Sequence, residues 1–241
     1  MNHFLFGVYP YIAITVMILG SIIRYDTDPF SWKSKSSQLL RRRQFVIGSV
    51  LFHVGVLVIL MGHFVGLLTP VAVFEALGIS HGAKQILAMT VGGIAGLMAL
   101  AGGGLLLHRR LYDPRVRTHS SVADTGILAL LLIQLLLGLL TILVSMRHLD
   151  GSEMVLLMNW AQAVVYLGAD PSQYMTGVNF IFKLHITLGL TIFLLFPFTR
   201  LVHMISAPIR YVWRPGYQIV RTRQQAAPEA EQPTRNPTPA E

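Results

Sequence analysis

Apolar residues gather in five long stretches separated by polar segments. The stretches cover about 4–23, 45–68, 85–107, 123–146 and 179–205. Each meets or exceeds the ~20 residues that a helix needs to cross ~30 Å of hydrocarbon. Strand-like alternation of apolar and polar residues is not evident. We therefore predict an all-α integral membrane protein, a bundle of five transmembrane helices.

Three other segments complete the predicted organisation. No Lys or Arg precedes the first stretch and no A-x-A-like site follows it, so we expect a retained span and not a cleaved signal peptide. The apolar segment 154–167 is short for a span, which favours an interfacial or re-entrant helix. Residues 224–241 are dominated by Pro, Glu, Gln and Ala, which predicts a disordered cytoplasmic tail after a five-span domain at 1–223.

Composition narrows the chemistry. Of the 241 residues, 53% are hydrophobic and 12% are charged, whereas a soluble domain carries roughly 25% charged residues. The chain has no cysteine, which excludes disulfides, thiolate zinc sites, Cys-ligated Fe–S clusters and thioether-linked haem. No internal repeat is evident, which disfavours an inverted-repeat transporter.

The basic residues predict the orientation in the membrane. With five spans, sixteen of the 19 Lys and Arg residues fall on one side, and only Lys84, Arg147 and Lys183 fall on the other. By the positive-inside rule the N-terminus lies outside and the C-terminus lies in the cytoplasm. Because the basic residues flank spans, the formal net charge of +8 needs no nucleic-acid partner.

Four histidines lie within predicted spans, where ionisable side chains are costly and usually functional. His53 and His63 are in the second stretch, and His185 and His203 are in the fifth. These spans run in opposite directions, so His53 matches His203 in depth and His63 matches His185. Two histidine pairs at two depths are what two bis-histidine haems require.

The spacing within the two spans does not match. His53 and His63 are 10 residues apart, a rise of ~15 Å, and differ by roughly 80° around the helix. His185 and His203 are 18 residues apart, which puts them on one face of a continuous helix with a rise of ~27 Å. Helix tilt, inclined haems or a kink at Pro197 could absorb the difference.

Other residues near these histidines allow two interpretations each. Three glycines could either permit the close approach of a flat macrocycle or serve helix packing. They are Gly55, Gly62 and Gly189. Basic residues either bind haem propionates or anchor the cytoplasmic face; they are Arg109, Arg110 and Arg200. Proton-relay or structural roles for the histidines stay open, and metal transport is disfavoured because Asp124 is the only acid near a span interior.

Several segments together resemble one family. They are VYPYIA and GSIIRYD near the N-terminus, SWKSKSSQLL, FHVGVLVILMGHFVGLLTP, LLLHRRLYDPRVR, HLDGSEM with WAQAVV, and FKLHITLGLTIFLLFPFTRLVH. The chain resembles the gamma chain of respiratory nitrate reductase over about residues 5–223. Both histidine motifs match this family in residue type and spacing. The C-terminal tail extends beyond the family core.

The resemblance implies a five-span dihaem cytochrome b of the bacterial cytoplasmic (inner) membrane. It implies that the chain oxidises quinol near the outer face. Electrons would then pass inward through two haems b to an Fe–S beta subunit and a molybdenum-containing alpha subunit on the cytoplasmic side, where nitrate is reduced. No nitrate-reducing site is visible in this chain.

The resemblance also implies roles for individual residues. His53 and His203 would ligate the proximal haem, nearer the catalytic subunits, and His63 and His185 the distal haem. Lys84, Gly62 and Gly66 would belong to the quinol pocket, although Lys84 also suits an interfacial snorkelling lysine.

Three alternatives remain open at the level of sequence. The first is a dihaem quinol-oxidising anchor for a different oxidoreductase, such as one for another oxoanion or a disulfide. The second is a haem-free transporter or channel that uses intramembrane histidines. The third is a purely structural membrane anchor.

Overall fold

The computed structural model describes residues 1–32, 40, 42–118, 120–147, 149–168 and 170–206. Residues Met1–Ser206 form one compact unit. Within the described ranges the regular secondary structure is entirely helical, in agreement with the predicted all-α class. The predicted tail at 224–241 and the end of the predicted domain at 1–223 lie outside the described residues.

The described residues of this unit contain eight α-helices. They are α1 (Tyr9–Thr27), α2 (Arg42–Leu68), α3 (Val71–Ala76), α4 (His81–Tyr112), α5 (Pro114–Thr118), α6 (Val122–Ser145), α7 (Ser152–Val165) and α8 (Phe180–Leu195). A π-helical turn, Phe4–Val8, precedes α1. In the part of the chain that the structure describes, five segments are long and apolar enough to cross a membrane: α1 with that turn, α2, α4, α6, and α8 with the turn after it. Each segment overlaps one predicted span, but the fifth ends at Phe198 and not at residue 205.

The long helices pack in the order α2, α4, α6, α8 and α1, each against the next. The α2–α4 contact is close because glycines face backbone across it. A Cβ atom on Gly55 would lie 2.6 Å from the Ala95 carbonyl oxygen and 2.8 Å from the Ala99 nitrogen. Gly55 therefore serves helix packing, one of its two predicted roles. Gly189 does the same on α8, where an added Cβ would meet the Gln134 amide at 3.1 Å.

The predicted short helix at 154–167 is α7, and it packs against α2, α4 and the 3₁₀ turn Pro171–Met175. Trp160 of α7 is buried and its indole N–H donates to the Phe6 carbonyl oxygen (3.0 Å). Phe6, Trp160, Met175 and Phe182 belong to one buried apolar cluster. The N-terminal turn and the loop before α8 are thereby fixed to the bundle.

The fifth span is not one continuous helix, so the expectation that His185 and His203 share one helix face is wrong. The helix α8 ends at Leu195, and two 3₁₀ turns follow, Phe196–Phe198 and Arg200–Met204. Thr199 between them is extended, with φ −120° and ψ 179°. The cause is Pro197, which has no N–H to donate and whose ring clashes with the preceding turn of a helix.

Candidate paired-histidine site

The structure brings the four span histidines together as two pairs. The ring centroids of His53 and His203 are 6.2 Å apart, with 69° between their planes. Those of His63 and His185 are 6.1 Å apart, with 38° between their planes. Because α2 carries one member of each pair, ten residues apart, the pairs are separated by ~15 Å along this helix. The depth matching expected from topology is therefore the one observed.

Three of the four rings are oriented by the backbone of their own chain segment. The Nδ1–H groups of His53 and His63 donate to the carbonyl oxygens of Ser49 (2.7 Å) and Ile59 (2.8 Å), one turn earlier on α2. The Nδ1–H group of His203 donates to the Arg200 carbonyl oxygen (2.5 Å). A neutral imidazole that donates from Nδ1 carries its lone pair on Nε2. This is the tautomer that a metal ligand needs.

The pairs fit axial ligation of a metal ion. An imidazole nitrogen ~2.0 Å from a metal on each side places two ring centroids ~6 Å apart. No group of three or more His, Cys, Asp or Glu residues that could hold a metal occurs among the described residues. Two histidines without further protein ligands suit a metal whose remaining positions are filled by a macrocycle, as in haem.

His185 is supported by α6 and not by its own helix. The Gln134 amide donates to the His185 carbonyl oxygen (3.0 Å) and lies 3.4 Å from the ring Nε2. Gly138 lies one turn further along α6, where an added Cβ would meet the ring at 3.1 Å. The Nδ1 atom of His185 and the Oε1 atom of Gln134 are buried without hydrogen-bond partners among the described atoms. Gln134 was not among the predicted site residues, although it is the only amide in the 18-residue apolar run 127–144.

Near the His53–His203 pair, Asp124 contacts basic residues of two helical segments, Arg200 through its carboxylate and Arg110 through its backbone carbonyl. Arg200 Nε is 3.7 Å from Asp124 Oδ1 at the start of α6, and both side chains are largely buried. Arg110 donates to the Asp124 carbonyl oxygen (2.6 Å). Arg109 is buried, donates to the Leu40 carbonyl oxygen (2.7 Å) and lies over the Phe45 ring. These contacts hold the ends of α2, α4 and α6 together; propionate binding by the same arginines stays a prediction.

Lys84 lies within the first turn of α4, because Ser80 caps this helix by accepting a hydrogen bond from the Ala83 N–H (3.2 Å). Its side chain is buried. The ammonium donates to the Gly66 carbonyl oxygen (2.8 Å), contacts Met158 Sδ (2.8 Å) and lies 3.8 Å from the centre of the Phe74 ring. Lys84 therefore points toward α2 and α7, whereas a snorkelling lysine extends to the water.

The two predicted pocket glycines border open space. Gly62 and Gly66 share one face of α2, and a Cβ atom on either would meet nothing within 4 Å. A cavity of about 120 Å³ lies beside the second histidine pair, lined in part by His63, Leu67 and His185. Lys84 does not line this cavity, although its acceptor Gly66 adjoins Leu67. The structure thus joins Lys84 to Gly66 directly, and to the His63–His185 pair through α2.

Among the described residues, five apolar helical segments and two histidine pairs define a helical, multi-pass membrane protein with sites suited to paired axial ligands. Residues 2–223 match the family model described as nitrate reductase gamma subunit. The chain belongs to the nitrate reductase gamma subunit family, and it is a membrane subunit of a respiratory nitrate reductase, an oxidoreductase complex with other subunits.

Curated relatives cover nearly the whole chain. The respiratory nitrate reductase 1 gamma chain of Escherichia coli (strain K12) is 51% identical over 223 residues, 92% of this chain and 98% of the relative. The respiratory nitrate reductase 2 gamma chain of the same organism has the same identity and coverage. The nitrate reductase gamma chain of Bacillus subtilis (strain 168) is 39% identical over 222 residues, 92% of this chain and 99% of the relative.

Proposed function

We propose that this chain oxidises membrane quinol and passes the electrons to the other subunits of its nitrate reductase complex. Two haems b would supply one-electron transfer across the membrane when bound. His53 and His203 would hold one haem, and His63 and His185 the other. The single observation that carries this proposal is the occurrence of two ring pairs, 6.2 Å and 6.1 Å between centroids, each between α2 and the segment formed by α8 and the turns after it.

The ring chemistry supports haem over a mobile metal ion. His53, His63 and His203 donate from Nδ1 to backbone carbonyls, and this bond leaves Nε2 for iron and raises its basicity. A zinc-type site takes three or four protein ligands, and each pair has only two. This argues against a transporter that binds zinc at either pair.

Positive charge supports the orientation of the proposed pathway. The side with sixteen Lys and Arg residues faces the cytoplasm by the positive-inside rule, which puts the His53–His203 pair on the cytoplasmic side and the His63–His185 pair near the outer face. The N-terminus then lies outside. This chain would lie in the bacterial inner membrane. Its partners on the cytoplasmic side would be the Fe–S beta subunit and the molybdenum-containing alpha subunit.

The proposed quinol site lies beside the His63–His185 pair. An ammonium has three donors, and the Lys84 ammonium uses one on the Gly66 carbonyl oxygen. Met158 sulfur is a weak acceptor, so Lys84 retains capacity to donate to a quinol oxygen. The open space at Gly62 and Gly66 gives a flat ring access to this face of α2.

Haem quantification tests the proposed function. The full chain, purified in detergent from haem-replete cells, is expected to bind about two b-type haems, the number that four axial histidines allow. The measurement is a dithionite-reduced minus oxidised spectrum with haem determined per polypeptide. One haem would mean that a pair is misassigned, and none in a folded preparation would refute the proposal.

Replacing Lys84 with methionine tests the quinol site. We expect quinol oxidation to slow about 10- to 100-fold, since a hydrogen bond to a charged group contributes ~1.5–3 kcal/mol, with both haems retained. The measurement is quinol-dependent nitrate reduction by the complex beside haem content. Arg147→Gln is the matched control, because it removes an exposed positive charge from the same side. Unchanged turnover in Lys84→Met, or loss of haem, contradicts the assignment.

A further inference from the structure

The break after α8 leaves backbone carbonyls without helical partners. Pro197 has no N–H and Thr199 is extended, so the repeating hydrogen bonds of α8 stop before His203. Unpaired carbonyls are costly within a membrane, and the turn that bears His203 needs support from another element.

Arg24, near the end of α1, provides that support. Its Nη1 donates to the carbonyl oxygens of Pro197 (2.6 Å) and Thr199 (2.8 Å). Its Nε donates to Ser31 Oγ (3.1 Å) and its Nη2 to the Ser31 carbonyl oxygen (3.0 Å). The planar guanidinium thus joins the break to the loop after α1. A lysine cannot reproduce this, because its ammonium is a point donor without the fixed fork.

Two neighbouring features shape this break, one from α1 and one from the break itself. Gly20 lies one turn before Arg24, and an added Cβ would sit 2.8 Å from Pro197 Cγ. Thr199 caps the following turn by accepting a hydrogen bond from the Leu201 N–H (3.3 Å). Leu201 and Val202 are then buried in an apolar cluster. The close approach of α1 and the burial of Leu201 and Val202 restrict the positions that the turn can take.

That arrangement determines where His203 points. The His203 ring donates to the carbonyl oxygen of Arg200, which directly follows the Thr199 carbonyl that Arg24 binds. The other pair has no comparable dependence, since His185 lies within α8 and is supported by Gln134. Arg24 therefore reaches one histidine pair and not the other.

We propose that Arg24 is a positioning residue that holds the turn Arg200–Met204 so that His203 faces His53. The effect of Arg24 on haem binding rests on the proposed function. Its effect on the position of the turn rests on the hydrogen bonds alone. Charge placement by itself does not explain Arg24, because Arg43 supplies an exposed charge on the same side without these contacts.

Site-resolved haem binding tests the proposal. In a His63→Ala background only the His53–His203 pair remains, and adding Arg24→Gln is expected to weaken haem retention about 10- to 100-fold, as for residues that orient metal ligands. In a His53→Ala background the same change is expected to leave the remaining haem in place. Arg24→Lys is expected to lie between Arg24→Gln and the parent, and Arg43→Gln is expected to behave as the parent.

A second readout does not depend on haem. Since the chain has no cysteine, Ile205→Cys, at an exposed position, can carry a single nitroxide label. Arg24→Gln is expected to increase label mobility, and Arg43→Gln is not. Unchanged mobility, or equal haem loss in both backgrounds, overturns the proposal. Increased mobility in a chain that binds no haem at all would support the positioning role and refute the proposed function.

Discussion

Replacing His63 with alanine is expected to remove one of two haems and to abolish quinol oxidation, with at least a 100-fold loss of rate. The His63–His185 pair would lose one axial ligand, and one imidazole does not replace two. The fold should persist, because His63 is exposed and alanine is the best helix former. His185 is less suitable for this test, since its ring contacts Gln134 and is packed close to Gly138.

The measurement combines haem per polypeptide with two nitrate-reduction assays on the purified complex. One uses a quinol, and the other uses a water-soluble reductant that reaches the partner subunits directly; only the first should fall. His108→Ala is the matched control, because His108 is exposed on α4 and its ring neighbour is Tyr112, not a histidine. Normal quinol oxidation in His63→Ala would refute the haem role of this pair.

The spans were predictable because their length and apolarity are properties of the sequence itself. The ends of the spans were harder to predict. The third span was predicted to begin at residue 85, whereas α4 begins at His81. The polar residue Lys84 looks like a loop residue in a hydropathy profile, so the predicted span began only at Gln85. The structure buries both side chains, and their partners, the carbonyl oxygens of Gly66 and Ser145, lie on other helices.

The pairing of the histidines followed from topology alone, since antiparallel spans match residues by depth. The path of the chain between His185 and His203 could not be predicted from topology. Pro197 indicates a kink, but whether the helix bends or stops depends on which groups take up the freed carbonyls. Here Arg24 does so from 173 residues away in sequence. Such long-range partners, like Gln134 for His185, have no local pattern that predicts them.

The α2–α4 interface bears on both histidine pairs, because α2 carries one histidine of each pair and packs against α4. A Cβ atom on Gly102 would lie 2.7 Å from the Gly48 carbonyl oxygen and 2.9 Å from Leu51 Cβ. The Gly48 carbonyl oxygen belongs to the backbone of α2 and cannot rotate away. A side chain at Gly102 would therefore force α2 and α4 apart. The helix that would move carries His53 and His63, and a shift of α2 changes both ring-to-ring distances at once.

Gly102→Ala is therefore expected to lower the free energy of unfolding by about 1–3 kcal/mol, the usual effect of overpacking, and to reduce haem retention at both pairs together. Gly104→Ala is the matched control two residues along α4, where a Cβ meets nothing within 4 Å. It should leave stability unchanged or raise it by up to ~1 kcal/mol through helix propensity. Thermal unfolding in detergent, followed by haem absorbance and helical circular dichroism, distinguishes the variants. Equal behaviour of the two alanine variants would mean that the glycine contact does not set the position of α2. Loss at one pair alone would mean that the two sites do not depend on a common α2–α4 interface.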